Sequence, residues 1–414
     1  LGVTLHHCEI LSNAESEFGV YASTTIHTSH PIITLPFKLA LTSQTARNSP
    51  IGTALINLFN NSSEFSNRDI LLSFLIWSRF SLAQHSLASN HQIDHFLQLY
   101  VNSLPNEFND LFWWNYSECG IQALEILQGT NLGNSFNEYK NNELKSYKKI
   151  KHTVSNACIN NASHHDCSIL TAFRNVLTES TWIWARSAFV SRCFPESLIT
   201  PLSDSQSASD RCGVLLPLID MMNHKYKCAV SWVSDCERRV VEVVHESERD
   251  VEVGEECWNN YGAKSNEEML LCYGFTSKEH EVHDTFALRM KVSAEEYRVF
   301  YLNKSAHPVP VQLIDTIRTL VIDCDTEHFE TEFDTEMEIE VMQTLHSMLT
   351  RKLHQITTNT LICTQHDKHP TTQSCHVKHA LMYRNSQLHV LTTALDFCTQ
   401  SIAQLEHSLT HHAH

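Results

Sequence analysis

The spacing of apolar positions changes character several times along the chain, and each change marks a different kind of element. In the first 45 residues, short β-rich runs at Gly19-Val-Tyr-Ala-Ser23 and Pro31-Ile-Ile-Thr-Leu-Pro36 are broken by turn formers, which predicts small antiparallel sheets. From about Asn48 to Arg186 the period becomes helical: Ile70, Leu71, Phe74, Leu75 and Trp77-Ser-Arg fall on one 3.6-residue repeat, and Ile169, Phe173, Val176 and Leu177 on another. Between them Asn131 to His152 is polar, with lysines at 140, 145, 148, 149 and 151, and reads as a solvated helix or loop, with a substrate-docking patch as the alternative. Strand alternation returns between Ser187 and Phe275, most clearly in Arg238-Arg-Val-Val-Glu-Val-Val244. No glycine follows Gly274, so the last 140 residues lack the usual strand-turn residue and are predicted helical. Leu388, Leu391, Leu395, Cys398, Ile402, Leu405 and Leu409 recur at alternating steps of three and four, one apolar stripe on a packed helix. No internal repeat emerges. The sheet-forming sequence is thus split by a helical insert.

Composition narrows the partners. The 414 residues suffice for two or three domains, and 42% apolar with 19% charged residues is a globular balance. Thirty Lys plus Arg against 47 Asp plus Glu leave a net charge of −17, which argues against a surface for nucleic acid and suits a basic protein partner. No apolar run approaches the ~20 residues of a membrane span and no leader pattern precedes the first strand, so no membrane is expected. The 14 cysteines contain no CxxC pair and read as mostly buried thiols of a reducing compartment, cytoplasmic and/or nuclear. The chain starts at Leu1, so an address signal can precede it. Cys363, His366, His369, Cys375, His376 and His379 crowd one stretch, but their spacing matches no zinc pattern and no metal is expected. Nothing demands more than a monomer.

Signatures of several chemistries are absent: GxGxxG, GxxxxGK[ST], GxSxG and HExxH do not occur. Three segments stand out instead. Leu216-Pro-Leu-Ile-Asp-Met-Met-Asn-His224 ends an apolar strand in an Asn-His pair. Gly254-Glu-Glu-Cys-Trp-Asn-Asn-Tyr-Gly-Ala-Lys-Ser-Asn-Glu-Glu-Met-Leu-Leu-Cys-Tyr-Gly-Phe275 holds two Tyr-Gly pairs joined by a short helix, capped by Ser265 or Asn266 with Glu268 in its first turn. Ser191-Arg-Cys-Phe194 closes the helix that contains Trp182 and Trp184.

In this order, with a split sheet, a helical insert and a helical C-terminal region, these segments resemble SET-domain protein methyltransferases of the plant Rubisco large-subunit methyltransferase type, a plan shared by fungal ribosomal-protein and elongation-factor lysine methyltransferases. The resemblance implies an α+β fold. A split SET domain would occupy 1–46 and 187–280, a helical insert 47–186, and an all-α substrate-binding-like domain 281–414. It also implies S-adenosylmethionine as cofactor and a basic protein substrate, a ribosomal protein or translation factor. Position by position, Ser16, Glu17 and Phe18 before Gly19 match the first cofactor-binding loop, with Glu17 where the family commonly has glycine. Arg192 matches the partner of the cofactor carboxylate. Asp220, Met221 and Met222 lead into Asn223 and His224, the pair that anchors the cofactor's amine and adenine. Tyr273, Gly274 and Phe275 match a second cofactor-contacting stretch, and Tyr261 the catalytic tyrosine. Backbone carbonyls near Ser191 and Asp220 would aim the substrate amine, and Phe194 would line its pocket.

Transfer of a methyl group to lysine needs the neutral amine. With a pKa of about 10.4, deprotonating lysine near neutrality costs roughly 4 kcal/mol. A narrow aromatic channel beside a cation lowers that cost by desolvation and like charge, and a tyrosine hydroxyl can orient the amine. The related actin-histidine enzyme carries asparagine at the position of Phe194, so the phenyl ring favours lysine over histidine. A catalytically silent interaction module and a histidine methyltransferase are the rival readings, the first motivated by Glu17.

Overall fold

The computed structural model describes residues 2–12, 18–58, 65–81, 92–157, 164–200, 212–324, 335–358 and 375–412. Packing divides the chain into two compact units: Leu1–Phe108 with Lys140–Gly262, and Asn109–Tyr139 with Ala263–His414. This is a partition by contact density, different in kind from the four segments drawn above.

The first unit contains β1 (Thr4–Leu5), β2 (Cys8–Ser12), β3 (Phe18–Ala22), β4 (Pro31–Pro36), β5 (Cys193–Phe194), β6 (Val214–Leu215), β7 (Val230–Asp235) and β8 (Val240–His245). Its main sheet runs β1-β4-β8-β7, antiparallel throughout, so two strands from the start of the chain lie beside two from beyond residue 229, joined where β4 pairs with β8. The register pairs Ile33 with Val243 and Leu35 with Val241, both fully buried pairs, while Thr34 on the other face donates to Glu242 Oε1 at 3.0 Å. β2–β3 and β5–β6 form separate hairpin-like pairs. The apolar faces converge on one core of Val20, Ile26, Leu39, Val214, Leu216, Ile219 and Met222, against which Ile93 and Phe96 of the helix Gln92–Ser103 also pack.

The helical part of this unit is anchored by Asn67–Ile76 and Glu179–Val190. Both begin in capping boxes, at Ser66/Asp69 and Thr178/Thr181, which satisfy the first free amides. The 3.6-residue repeat at 70–79 is real but too narrow: Leu72 and Ile76, off that repeat, are buried as well, because other helices cover this helix on several sides. The polar stretch is a helix, Asn131–Ala157, whose lysines at 145, 148, 149 and 151 face solvent. From its inner side Glu143 binds Arg68 at 2.9 and 3.1 Å and accepts from Trp182 Nε1 at 3.1 Å.

The second unit corrects one expectation. Residues 281–414 are not all helix: β9 (Phe286–Lys291) and β10 (Tyr297–Leu302) form an antiparallel hairpin. Scarcity of glycine is a poor guide here because Ser293 does the turning, its Oγ accepting the amides of Glu295 and Glu296 at 3.4 and 3.1 Å. Phe286, Leu288, Met290, Phe300 and Leu302 from the hairpin share a core with the helices Val311–Cys324, Thr335–Thr358 and Cys375–His412. On the last of these the apolar stripe is buried at Leu391 and Cys398, while Ile402, Leu405 and Leu409 are only half-buried. Among the described residues no helix is long and apolar enough to cross a membrane.

Candidate active site

The helix Glu179–Val190 buries Trp182, Trp184 and Phe189 and is closed by Ser191, whose Oγ donates to the Ser187 carbonyl at 2.7 Å. The chain then turns into β5, leaving Arg192 half-buried at the turn and burying Phe194 in the strand core. Across the β5–β6 pair, the chain leaves Val214–Leu215 and enters a tight turn at 218–222. Leu218 there has φ 74° and ψ −36°, a strained conformation for a bulky L-residue. Amide bonds from Asp220 to Leu216 (3.1 Å) and from Met222 to Ile219 (3.2 Å) hold the turn closed.

The residues that follow meet the Gly254–Phe275 segment. Asn259 donates its amide to the Asn223 carbonyl at 2.7 Å and accepts from Lys225 at 2.9 Å, a parallel bridge that sets Tyr261 beside His224. The two rings stack with centroids 4.8 Å apart, and the Tyr261 amide donates to His224 Nδ1 at 3.1 Å. The Tyr261 hydroxyl donates to the Met222 carbonyl at 3.1 Å. Burial pushes this phenol up to about 12, with Asp220 and Glu256 adding to the rise and Arg192 opposing it. It is a neutral donor over the physiological range.

Arg192 and Asp220 form the polar floor. Arg192 Nη1 donates to the Asp220 carbonyl at 2.9 Å and stands 3.6 Å from Asp220 Oδ2. That carboxylate is completely buried, and desolvation raises its pKa even against the neighbouring guanidinium. Its Oδ2 accepts a 2.7 Å bond from Tyr100, a residue of the helical insert that the sequence reading passed over. Asp220 Oδ1 and Arg192 Nε are buried and have no hydrogen-bond partner among the described residues. An acceptor and a donor left over side by side suit a ligand carrying both an ammonium and a carboxylate.

Two further connections bring in the N-terminal strands. Asn223 Nδ2 donates to the Phe18 carbonyl at 3.1 Å and to Glu256 Oε1 at 2.8 Å. Gly19 lies at this crossing, where a Cβ would stand 2.8 Å from Glu256 Oε1 and 2.9 Å from the Tyr21 ring, so those side chains would have to shift to admit one. Phe194 meets Trp232 edge to face at 5.0 Å, and the indole Nε1 donates to Asn259 Oδ1 at 2.9 Å.

Of the residues singled out from sequence, Phe18, Ser191, Arg192, Phe194, Asp220, Met221, Met222, Asn223, His224 and Tyr261 lie in the first unit, where the bonds above join most of them. Ser16 and Glu17 lie outside the described residues, as do Cys363, His366 and His369. Tyr273, Gly274 and Phe275 belong to the second unit, where Tyr273 caps the helix Asn266–Cys272 and Gly274, at φ 82°, passes against the backbone of Asn109. That helix starts with the expected box, Ser265 with Glu268. The reading from sequence missed Tyr100, Trp232, Glu256 and Asn259. For Tyr100 a signal existed: Ile93, Phe96 and Tyr100 share one helix face at steps of three and four.

No protein-family model matches the chain. Among curated proteins it is 26% identical over 234 residues to ribosomal lysine N-methyltransferase 1 of Saccharomyces cerevisiae, covering 52% of this chain and 38% of that protein. It is 39% identical over 116 residues to ribosomal lysine N-methyltransferase set10 of Schizosaccharomyces pombe, 28% of this chain and 20% of the relative. A longer, weaker match, 23% over 343 residues, covers 79% of this chain and 52% of the actin-histidine N-methyltransferase of Canis lupus familiaris. The chain therefore spans well under two thirds of each of these relatives. Among solved structures, Rubisco LSMT bound to AdoMet superposes with a TM-score of 0.67 at 17% identity, covering 97% of this chain and 89% of that one. The SET domain of LSMT bound to lysine and AdoHcy gives 0.68 with the same 97% coverage of this chain. The fold is thus the α+β SET-domain architecture with its helical C-terminal region.

Proposed function

We propose that the chain is an S-adenosylmethionine-dependent protein-lysine N-methyltransferase acting on a basic protein, with a ribosomal protein as the favoured class. The observation that carries this reading is the seating of the Tyr261 hydroxyl on the Met222 carbonyl, at the junction of the Asn223–His224 pair and the Arg192–Asp220 floor. The names of the two yeast relatives and the fold likeness support it. The net charge of −17 supports a client rich in Lys and Arg.

The residues fit the cofactor. Arg192 would hold its carboxylate, Asp220 and the Asn223 region its ammonium, and the Phe18–Gly19 backbone would pass beside it. When bound, S-adenosylmethionine supplies an electrophilic methyl group on a sulfonium. The chain's own task is to present an uncharged amine. The buried aromatic surroundings strip water from the incoming ammonium and favour its neutral form. Tyr261, held neutral by burial and tethered to Met222, orients that nitrogen as a fixed dipole, and positioning of this kind is worth several kcal/mol of barrier. Phe194 with Trp232 forms an apolar wall suited to an alkyl stem.

Replacing Tyr261 by Phe removes the dipole while keeping the ring. The expected outcome is a loss of turnover of at least a hundredfold with cofactor affinity within about threefold of wild type, read by radiolabelled methyl transfer and calorimetry. Normal methyl transfer by Tyr261→Phe, or methylation of histidine in place of lysine when tryptic peptides are mapped by mass spectrometry, overturns the reading.

A further inference from the structure

Tyr100 reaches the site from an element with no chemistry of its own, the helix Gln92–Ser103 of the insert. Ile93 and Phe96 fasten that helix to the strand core, and Tyr100, on the same face, is itself buried with 4% of its surface exposed. Its hydroxyl lies 2.7 Å from Asp220 Oδ2. A buried carboxylate beside a guanidinium would ordinarily draw it into a paired hydrogen bond of about 2.7–2.9 Å. Here the nearest approach of Arg192 to that carboxylate is 3.6 Å, and the bond that Arg192 Nη1 completes is to the Asp220 backbone carbonyl instead. The carboxylate oxygen nearest the guanidinium, Oδ2, is the one Tyr100 engages. Arg192 Nε is left buried with no partner among the described residues, an arrangement that costs stability unless a further group completes it.

We propose that Tyr100 is a positioning residue: by engaging Asp220 it keeps Arg192 from collapsing onto the carboxylate and holds the guanidinium ready for the carboxylate of the cofactor's amino-acid end. This rests on the methyltransferase reading above. It gives the insert a part in cofactor recognition, 120 residues in sequence from the turn it acts on. Without the phenolic hydroxyl, Asp220 turns to Arg192 as its remaining partner, and the amino-acid end of the ligand loses its cation. The adenosine end is untouched.

The test compares two probes by calorimetry on the full chain: S-adenosylhomocysteine, which carries the amino-acid end, and methylthioadenosine, which lacks it. In Tyr100→Phe the affinity for S-adenosylhomocysteine is expected to fall about tenfold while methylthioadenosine stays within twofold, so the second probe also reports that the variant is folded. Phe96→Leu, one turn away on the same face, disturbs packing without reaching Asp220 and is expected to keep the wild-type ratio of the two affinities. In turnover assays Tyr100→Phe should raise KM for the cofactor and leave kcat within threefold. Equal weakening of both probes, no weakening of either, or the same change of ratio in Phe96→Leu overturns the inference while leaving the methyltransferase reading standing. Failure of the wild type to bind either nucleoside overturns both.

Discussion

At the scale of single residues, Tyr261 is governed by what surrounds it. Its ring lies on His224, its hydroxyl is engaged by Met222, and burial holds its pKa at about 12, above the ordinary 10.0. The raised value means that the phenol keeps its proton where a free tyrosine would lose it. For the reaction proposed above, the rate of methyl transfer is therefore expected to climb with pH between 7 and 10 as the substrate amine deprotonates, with no descending limb from Tyr261. A fall centred near pH 10 in kcat/KM would mean that the phenol ionises as though in water. Tyr261, Asn223 and His224, which the fold brings together, could be singled out as candidates because their neighbours in sequence form a distinctive string. The roles of Tyr100 and Glu256 were not legible: periodicity puts Tyr100 on a buried face and Glu256 stands within the distinctive string, but their partners Asp220 and Asn223 lie far off in the chain and leave no mark on either pattern. Arg192 was named from sequence, but its engagement with the Asp220 carbonyl is a fact of the fold alone.

At the scale of elements, the short helix Asn266–Cys272 shows how local rules and close packing divide the work. Its start was readable, for a serine three residues before a glutamate satisfies the first amides whatever surrounds it. Its end depends on Gly274, where φ is 82° and a Cβ would meet the Asn109 carbonyl carbon and oxygen at 2.2 Å. Gly254 has the same φ of 82° with no atom within 4 Å of that position. Gly274→Ala is expected to destabilise by roughly 2–5 kcal/mol, combining left-handed strain with overpacking, and Gly254→Ala by only about 1 kcal/mol. Urea titrations measure both, and equal costs would mean that backbone conformation alone decides. The hairpin β9–β10 escaped the sequence reading for a related reason: its turn uses a serine side chain, so the absence of glycine carried no information. The helix Asn67–Ile76 was found but its burial underestimated, because periodicity reports one face and this helix is covered on several.

At the scale of the whole molecule, buried thiols tie stability to pH. Cys212, Cys257 and Cys398 are pushed up to about 12 and Cys8 to about 11, in each case chiefly by desolvation. Below pH 9.0, the ordinary thiol value, folded and unfolded chains hold these protons alike. Between 9 and about 12 the unfolded chain releases them and the folded one does not, so stability must fall as pH rises through that window. Urea midpoints at pH 8, 9.5 and 10.5 should decline in order, and Cys257→Val should flatten the slope; a flat profile in the parent chain would mean that these thiols ionise in place. The overall plan was readable because split strands, insert and helical tail differ in period. The order β1-β4-β8-β7 was not, because pairing between strands so far apart leaves no local trace. That order also has a consequence for synthesis. β4 is in place some two hundred residues before β8 exists, a delay on the order of 10–40 s at ordinary translation speeds. Throughout it Ile33 and Leu35 lack their partners Val243 and Val241, so the nascent chain must be shielded from aggregation until β8 emerges from the ribosome.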